Sequence, residues 1–260
     1  MSAQGSAEGV VVAIDGPSGS GKSSTAKGVA AARGLWYLDT GAMYRAMTWW
    51  MQHHRIDADD AAAVAEAAGR PDITMGTDPA APTVQVDGRD VAREIRTQEV
   101  TAQVSAVSSV AAVRERLVAM QRETIAQAQH EAGGIVVEGR DITTVVAPDA
   151  PVKIYLTASA EARANRRSGE LSGSDVDAIQ ADLARRDLLD SSRDDSPLTQ
   201  TADALELETT GLGLDEVVAI VLELIDRAAE TGGVGEAGGF GAAGAAQAAE
   251  EKKAERSAAR

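Results

Sequence analysis

The sequence contains no cysteine among its 260 residues. That absence excludes disulfides, thiolate catalysis and zinc sites built on cysteine. A run of eighteen apolar residues occurs nowhere, and residues 1–9 have neither a basic region nor an apolar core. No membrane span and no export signal are therefore predicted, and we expect a soluble, cytoplasmic protein.

Positive charge is also scarce. The chain has 25 lysine and arginine residues against 40 aspartate and glutamate residues, which gives a formal net charge of −15. Binding of a nucleic-acid polymer needs basic stripes, so the composition argues against such a partner. Local arginine clusters can coexist with an acidic exterior, so small charged substrates remain possible. The length fits one large domain, or a core domain with a smaller insert.

A candidate phosphate-binding loop follows the first predicted strand. Val10 to Ile14 is apolar and β-branched, as in a buried strand, and Ser24 to Ala32 favours a helix. Glycines between them let backbone N–H groups and the helix N-terminus meet at one anion site. Lys22 would contact the outer phosphates and Ser23 would bind Mg²⁺. The motif G-x-x-x-x-G-K-[ST] is formed by Gly16-Pro17-Ser18-Gly19-Ser20-Gly21-Lys22-Ser23. A ligand-free glycine turn is the weaker interpretation, given the flanking strand and helix.

Four more strands and six more helices are predicted along the chain. The strands are Leu35 to Leu38, Ile135 to Val137, Val152 to Leu156 and Ala204 to Leu207. The helices are Ala42 to His54, Asp57 to Ala68, Thr97 to Gln129, Ser159 to Gly169, Ser174 to Leu189 and Leu214 to Ala229. Thr40 is the expected N-cap of the first of these helices.

Two regions differ in character from this pattern. Between residues 70 and 95, prolines separate the β-like pieces Asp72 to Met75 and Thr83 to Val86, and Asp87-Gly88 is typical of a hairpin turn. We expect a small inserted unit there, with little core of its own. Residues 231–260 consist mostly of glycine, alanine and charge, so this tail and residues 1–9 are expected to be disordered, with a transient helix over Ala245 to Ala259.

Two polar clusters are candidate site residues. Glu138-Gly139-Arg140-Asp141 follows a predicted strand, and ligands bind at the carboxyl ends of strands in open α/β sheets. Such a cluster is costly unless it is used or solvated, which favours function over a plain polar turn. Arg163, Arg166 and Arg167 share one helix face, so their repulsion favours an absent polyanion over a merely solvated basic face.

Other candidates stay ambiguous on pattern alone. Arg45 lies one turn into its helix and could be a solvated arginine. Ser105 and Arg114 are about 180° apart on an ideal helix, so they can face one ligand only if the helix breaks near Ser108-Ser109. Arg186, Asp190 and Arg193 recur at helical spacing, which also suits a surface ion-pair ladder. The histidines, His53, His54 and His130, have no partners at ligand spacing and receive no role.

Six segments together resemble the bacterial cytidylate kinases, nucleoside monophosphate kinases of the P-loop class. The resemblance covers roughly residues 10–228. Two of the segments, Glu94 to Val100 and Gly139 to Asp141, are far more specific than the P-loop because other P-loop kinases lack both. The six segments are Ile14 to Lys22, Leu38 to Arg45, Glu94 to Val100, Gly139 to Asp141, Pro148 to Ile154 and Arg186 to Ser191.

The resemblance implies an α/β fold with a parallel five-stranded sheet flanked by helices. It implies a kinase domain over residues 10–230, with an insert at 42–105 that binds the nucleoside monophosphate and a short lid at 160–173. The implied reaction transfers the γ-phosphoryl group of ATP to CMP or dCMP, with Mg²⁺ as cofactor and UMP as a weaker acceptor. A monomer is also implied.

Site roles are implied position by position. Residues Gly16 to Ser24 would hold ATP, and Ser23 and Glu138 would hold Mg²⁺. Thr40 would lie on the ribose side, Arg45 and Arg140 would clamp the CMP phosphate, and Ser105, Arg114 and Asp141 would contact the cytosine edge. Arg186 and Asp190 would bind the ribose hydroxyls. The implied catalytic residues are Lys22, Arg140, Arg163, Arg167 and Arg193, with Arg166 beside them.

Three positions depart from the family pattern as we expect it. Glu138 stands in place of an aspartate, which changes the reach toward Mg²⁺. Thr143 replaces a glycine, so the backbone there is expected to be less free. Leu207-Glu208-Thr209 replaces an apolar residue followed by Asp-Thr.

Three rival functions remain open. The chain could be another small-molecule P-loop kinase, acting on UMP, AMP or shikimate. It could be a nucleotide-dependent switch, although the lack of an N-K-x-D stretch counts against a GTP-binding one. It could be an inactive scaffold, although Lys22, Arg45 and Arg140 are all retained.

Overall fold

The computed structural model describes residues 9–170, 176–192 and 197–230. Several sequence predictions fall outside these ranges. They are the disorder of residues 1–8, the end of the lid at 171–173, the role of Arg193, and the tail 231–260 with its helix at Ala245 to Ala259.

Eight strands and eight α-helices make up the described residues. In chain order they are β1 (Val10–Asp15), α1 (Lys22–Arg33), β2 (Trp36–Asp39), α2 (Thr40–His53), α3 (Ala61–Ala67), β3 (Ile73–Met75), β4 (Val84–Val86), β5 (Arg89–Asp90), α4 (Gln98–Ser108), α5 (Ala111–Glu131), β6 (Gly134–Gly139), β7 (Val152–Thr157), α6 (Ala160–Glu170), α7 (Val176–Ser191), β8 (Leu205–Glu208) and α8 (Leu214–Glu230). A 3-10 turn at Glu94–Arg96 and a π-helical turn at Ile142–Val146 complete the set. None of these helices is long and apolar enough to cross a membrane.

The main sheet has five strands in the order β2-β6-β1-β7-β8, and every neighbouring pair is parallel. The predicted parallel five-stranded sheet is therefore confirmed. The register pairs Asp39 with Glu138 and Asp15 with Gly139, so the polar residues that end these strands lie along one edge. Ligands of open α/β proteins bind at this carboxyl edge.

Alternate residues of the central strand β1 pack into different apolar clusters. Val11 and Ala13 belong to a large cluster shared with α2, α4 and α5, whereas Val12 and Ile14 belong to a cluster shared with α1 and α8. A strand covered by helices on both faces is apolar at every position, which explains why a short continuous apolar run identified it.

The insert forms a three-stranded antiparallel sheet in the order β3-β4-β5. The predicted pieces Asp72 to Met75 and Thr83 to Val86 are confirmed as strands, and the turn residues Asp87 and Gly88 both have positive φ, 52° and 76°. The third strand has only two residues and was not predicted. The buried apolar side chains of this sheet lie in the same cluster as α2, in agreement with an insert that has little core of its own.

The helix starts and ends correct two expectations. The N-cap of α2 is Asp39, whose Oδ1 accepts from the Ala42 N–H at 2.9 Å, so the prediction of Thr40 is wrong. Helix α3 begins later than predicted because Asp60 caps the N–H groups of its first turn. The predicted break near Ser108-Ser109 is confirmed, since α4 ends at Ser108 and α5 begins at Ala111.

Candidate active site

A cavity of about 840 Å³ opens at the carboxyl edge of the main sheet. Its wall is built from the loop after β1, the start of α2, the end of β6, the facing ends of α4 and α5, and residues of α6 and α7. A cavity of this size suits ligands as large as nucleotides. Nearly all the predicted site residues within the described ranges contribute to it.

The loop after β1 has the backbone geometry of a phosphate cradle. Gly19 and Gly21 have φ of 79° and 96°, a conformation that favours glycine. Ser18 to Ser24 line the cavity, whereas Gly16 and Pro17 form the turn out of β1. No described side chain caps the N-terminus of α1, so its first N–H groups are available to an anion.

Lys22 is a buried cation at the start of α1. Its Nζ donates to the carbonyl of Pro17 at 2.8 Å, so the side chain is held along the loop that it follows. Burial lowers the pKa of Lys22, and the nearby Arg140 lowers it further, whereas Glu138 and Asp15 oppose the shift. A buried lysine beside an arginine is stabilised by a bound anion.

The Glu138 carboxylate is held by two hydroxyl groups. The Ser23 Oγ donates to its Oε2 at 2.9 Å, and the Tyr37 hydroxyl donates to its Oε1 at 2.5 Å. Burial raises the pKa of Glu138, and the negative charge of Asp39 adds to that effect. Sequence reasoning assigned Ser23 and Glu138 but missed Tyr37.

The Ser23 hydroxyl and the Glu138 carboxylate fit a Mg²⁺ ion. Both provide hard oxygen ligands, and both lie on the cavity wall beside the phosphate cradle. The described residues contain no cluster of three or more His, Cys, Asp or Glu side chains that could hold a metal. The pair formed by Ser23 and Glu138 is nevertheless enough for Mg²⁺, which usually takes one or two protein ligands together with substrate phosphates and water.

Asp15 anchors the turn that follows β6. Its buried carboxylate accepts from the N–H groups of Ile142 and Thr143 at 3.0 and 2.8 Å, and from the Thr143 hydroxyl at 2.7 Å. Burial raises the pKa of Asp15, whereas these hydrogen bonds lower it. Thr143, which departs from the family pattern, therefore donates two of the three hydrogen bonds that fix the segment carrying Asp141, and its side chain supplies one of those two. Sequence reasoning gave Asp15 no role.

Arg114 and Asp141 form a buried ion pair in the cavity wall. The Nη2 of Arg114 donates to the Oδ2 of Asp141 at 2.5 Å, and the two side chains are only 4% and 7% exposed. Ser105 lines the same cavity from the end of α4. The break between α4 and α5 thus brings together residues that a continuous helix would separate.

Three arginines on different elements converge on the cavity. Arg140 at the end of β6 donates to Asp190 at 2.9 Å and to the Ser18 hydroxyl at 2.7 Å. Arg45 on α2 donates to the Thr101 hydroxyl at 2.8 Å. Arg186 on α7 has a buried Nε without a hydrogen-bond partner among the described residues.

The pKa values of Arg45 and Arg186 are both lowered, partly by neighbouring positive charge. Burial lowers the pKa of Arg45 to about 9, and the like charge of Arg186 is the next-largest cause. Burial also lowers the pKa of Arg186, with Arg140 as the next cause. Buried guanidinium groups that repel each other in a cleft are typical of an anion-binding site.

The arginines of α6 divide into two groups. Arg166 and Arg167 line the cavity, and Arg166 donates to the carbonyl of Ser20 at 3.2 Å. Arg163 instead donates to the carbonyl of Ser18 at 3.1 Å and pairs with Asp187, a residue that sequence reasoning did not assign. Asp187 also accepts from the Ser18 N–H at 3.2 Å, so this pair holds the loop from outside.

Thr40 lies at the buried end of the site. Its side chain is part of the cavity wall, but its hydroxyl donates to the carbonyl of Glu138 at 2.7 Å. If the Thr40 hydroxyl donated a hydrogen bond to the ribose, it would have to give up its hydrogen bond to the Glu138 carbonyl.

The chain matches the family model described as cytidylate kinase over residues 12–227. It is 58% identical over 223 residues to a cytidylate kinase of Streptomyces avermitilis, covering 85% of this chain and 95% of that protein. It is 60% identical over 220 residues to a cytidylate kinase of Streptomyces coelicolor, covering 85% and 94%. A cytidylate kinase of Rhodococcus opacus is 50% identical over 235 residues, covering 89% and 100%.

Proposed function

The chain belongs to the cytidylate kinase family, and from this premise we propose that it transfers the γ-phosphoryl group of ATP to CMP or dCMP. The products are ADP with CDP or dCDP. One observation carries the proposal: the phosphate cradle with Lys22 shares a single cavity with the buried Arg114–Asp141 pair and with several arginines. The cradle suits a triphosphate, and the ion pair with its arginines suits a pyrimidine monophosphate.

The donor triphosphate would bind at Gly16 to Ser24. The backbone N–H groups at the start of α1 and the Lys22 ammonium group would hold the phosphates. Ser23 and Glu138 would hold Mg²⁺, which when bound supplies positive charge at the β- and γ-phosphates. The 2.9 Å hydrogen bond between the two side chains places them side by side, which supports their assignment to one ion.

Base selection follows from hydrogen-bond chemistry at Asp141. Cytosine carries an exocyclic amine that a carboxylate can accept from, while Arg114 can donate to the ring carbonyl and N3. Uracil presents a carbonyl and an N–H at the corresponding positions, which would set a carbonyl oxygen, with no hydrogen to donate, against the buried Asp141 carboxylate. We therefore expect UMP to be the weaker acceptor, with Ser105 as a further contact to the base.

Phosphoryl transfer needs positioning and charge stabilisation more than proton transfer. The acceptor oxygen of CMP is already anionic at neutral pH, so the site needs no general base. Arg45 and Arg140 would hold the acceptor phosphate, and Arg186 and Asp190 would contact the ribose. Arg163, Arg166, Arg167 and Arg193 would neutralise charge on the transferred group.

Two segments would move during the cycle. Residues 42–105 would carry the monophosphate, and residues 160–173 would act as a lid. Closure of the lid would exclude water, which otherwise accepts the phosphoryl group and wastes ATP. A monomer would contain the whole site, because all the assigned residues are in one chain.

Coupled ADP release tests the function directly. With ATP, Mg²⁺ and CMP we expect steady turnover, and we expect at least a 100-fold loss in Lys22→Ala, since Lys22 contacts the group that gains charge. UMP, AMP and shikimate are run as alternative acceptors. Faster turnover with one of these would assign a different kinase, whereas ATP hydrolysis that ignores every acceptor would indicate a switch. Light scattering of the purified protein measures its molar mass in solution and tests whether it is a monomer.

A further inference from the structure

Tyr37 contributes a buried hydroxyl group that the proposed reaction leaves without a role. The residue lies on β2 and is 2% exposed, with its ring in the apolar cluster formed with α1 and α8. Its hydroxyl reaches the cavity wall and donates to the Oε1 of Glu138 at 2.5 Å. The apolar packing therefore fixes the ring, and the fixed ring fixes where the hydroxyl lies.

The two hydrogen bonds to Glu138 come from different elements. Tyr37 donates to Oε1 from the neighbouring strand, and Ser23 donates to Oε2 from the first turn of α1. The register pairs Tyr37 with Val136 and Asp39 with Glu138, so the tyrosine lies two residues before the carboxylate on the adjacent strand. One bond to each oxygen defines the plane of the carboxylate, which a glutamate side chain with three rotatable bonds would otherwise vary.

We propose that Tyr37 is a positioning residue for the divalent cation that accompanies ATP. By holding Oε1, it directs Oε2 of Glu138 and the Ser23 hydroxyl toward the phosphate cradle. The inference rests on the proposed function and deepens it, because it names a residue that acts through Glu138. Groups that orient a metal ligand typically change metal affinity 10–100-fold when they are removed.

Loss of the Tyr37 hydroxyl should also leave Glu138 open to other partners. Lys22 at the start of α1 and Asp39 at the end of β2 are charged groups that act on its carboxylate, with opposite signs. Without the bond from Tyr37, attraction by Lys22 and repulsion by Asp39 would shift the Glu138 carboxylate from its position beside Ser23. Nucleotide binding through the backbone N–H groups does not depend on that placement.

Calorimetry with a non-hydrolysable ATP analogue tests this inference without turnover. The affinity of the full-length protein for the analogue is measured with and without Mg²⁺. The ratio of the two association constants is the gain in affinity that Mg²⁺ provides, or metal gain. We expect Tyr37→Phe to reduce that gain about tenfold while leaving the metal-free affinity unchanged. Tyr155→Phe is the matched control, since Tyr155 lies on β7 outside the described cavity-lining residues, and it should keep the full gain.

A double-mutant cycle separates positioning from a structural effect. If Tyr37 acts through Glu138, then Tyr37→Phe should have little further effect on the metal gain in a Glu138→Gln background. The inference is overturned if Tyr37→Phe keeps the full gain, if it weakens binding equally with and without Mg²⁺, or if the two substitutions are additive. A wild-type protein whose affinity ignores Mg²⁺ would instead remove the metal site of the proposed function, and with it this inference.

Discussion

At the level of single residues, the proposed function makes the carboxylate of Asp141 the group that distinguishes cytosine from uracil. It is buried, and its partner in the described structure is Arg114. We expect Asp141→Ala to reduce the ratio of kcat/KM for CMP to that for UMP at least about tenfold, because it removes the acceptor for the cytosine amine. Both nucleotides are assayed on the same preparation, so loss of folded protein does not alter the ratio.

The control for this substitution is Asp226→Ala. Asp226 on α8 pairs with Arg33 on α1 at the protein surface, and neither residue lines the cavity. Asp226→Ala should leave kcat/KM for CMP and for UMP unchanged, because exposed ion pairs contribute little to stability. A wild-type ratio in Asp141→Ala would show that the base is selected by other residues.

Lys22 is expected to make the binding of ATP depend on pH. Burial lowers the pKa of Lys22 in the free protein, and bound phosphates should raise it again, since a negative charge favours the protonated amine. Between the two pKa values, ATP binding takes up a proton, and the affinity therefore falls as the pH rises. Calorimetry at about pH 8 in buffers of different ionisation enthalpy measures this uptake.

Lys22→Arg is the informative comparison for proton uptake. Arginine stays protonated in both states, so the heat of binding should lose the part of its buffer dependence that comes from this position. Heats that do not vary with the buffer in the wild-type protein, or that vary equally in both proteins, would mean that Lys22 is already charged before ATP binds.

At the level of elements, local sequence was sufficient where an element owes its form to its own residues. The run Val10 to Ile14, the glycines before α1 and the turn at Asp87-Gly88 each carry their signal within a few positions. The break between α4 and α5 has only a weak local signal, and it was expected because Ser105 and Arg114 could not otherwise face one ligand. Asp39 was missed as the cap of α2 because the adjacent Thr40 is also a residue type that caps helices.

The contacts that fix the site were beyond local sequence. Tyr37 and Glu138 are 101 residues apart, and they meet only because β2 pairs with β6 in one register. The bonds from Thr143 to Asp15 span 128 residues and depend on β1 lying beside β6. Such pairs follow from the order of strands, which no single segment determines.

Arg116 connects the helix α5 to the insert. Its guanidinium group donates to the carbonyls of Ala68 and Pro71, which follow the end of α3. We expect Arg116→Met to keep the packing of the side-chain stem but lose both bonds, so that amide hydrogen exchange over residues 61–75 becomes about tenfold faster. Mass spectrometry of exchanged peptides measures the change.

Arg122 on the same helix offers a reciprocal control. It donates to the carbonyls of Val145 and Val146 at 2.6 and 3.3 Å, in the π-helical turn after β6. Arg122→Met should speed exchange at residues 142–147 and leave residues 61–75 unchanged. Equal changes in both regions for either variant would indicate a global loss of stability instead of a local connection.

At the level of the whole molecule, an acidic protein brings several of its cations together in one cavity. The net charge of −15 argued against a polymeric nucleic-acid partner, but composition alone could not locate the positive charge. Arg45, Arg140 and Arg186 come from α2, β6 and α7, so only the assembled fold brings them together. We expect their mutual repulsion to cost stability in the free protein and bound phosphate groups to relieve it.

Arg186 is the residue at which this conflict between stability and binding can be measured. Its Nε is buried without a partner among the described residues, and burial together with Arg140 lowers its pKa. We expect Arg186→Met to raise the free energy of unfolding of the unliganded protein by about 1 kcal/mol, because it removes a poorly compensated charge. Urea unfolding with and without CMP measures both states.

The same substitution should abolish most of the stabilisation that CMP provides. A ligand at 100 times its dissociation constant adds about 2.7 kcal/mol to wild-type stability, and a variant with weaker binding loses that increment. Arg185→Met is the matched control, since the adjacent Arg185 is exposed and pairs with Asp182; it should change neither quantity by more than about 0.5 kcal/mol. The contrary result is that Arg186→Met destabilises the free protein and keeps the full increment from CMP. It would show that Arg186 is a structural residue and that other side chains of the protein already compensate the positive charge in the cavity.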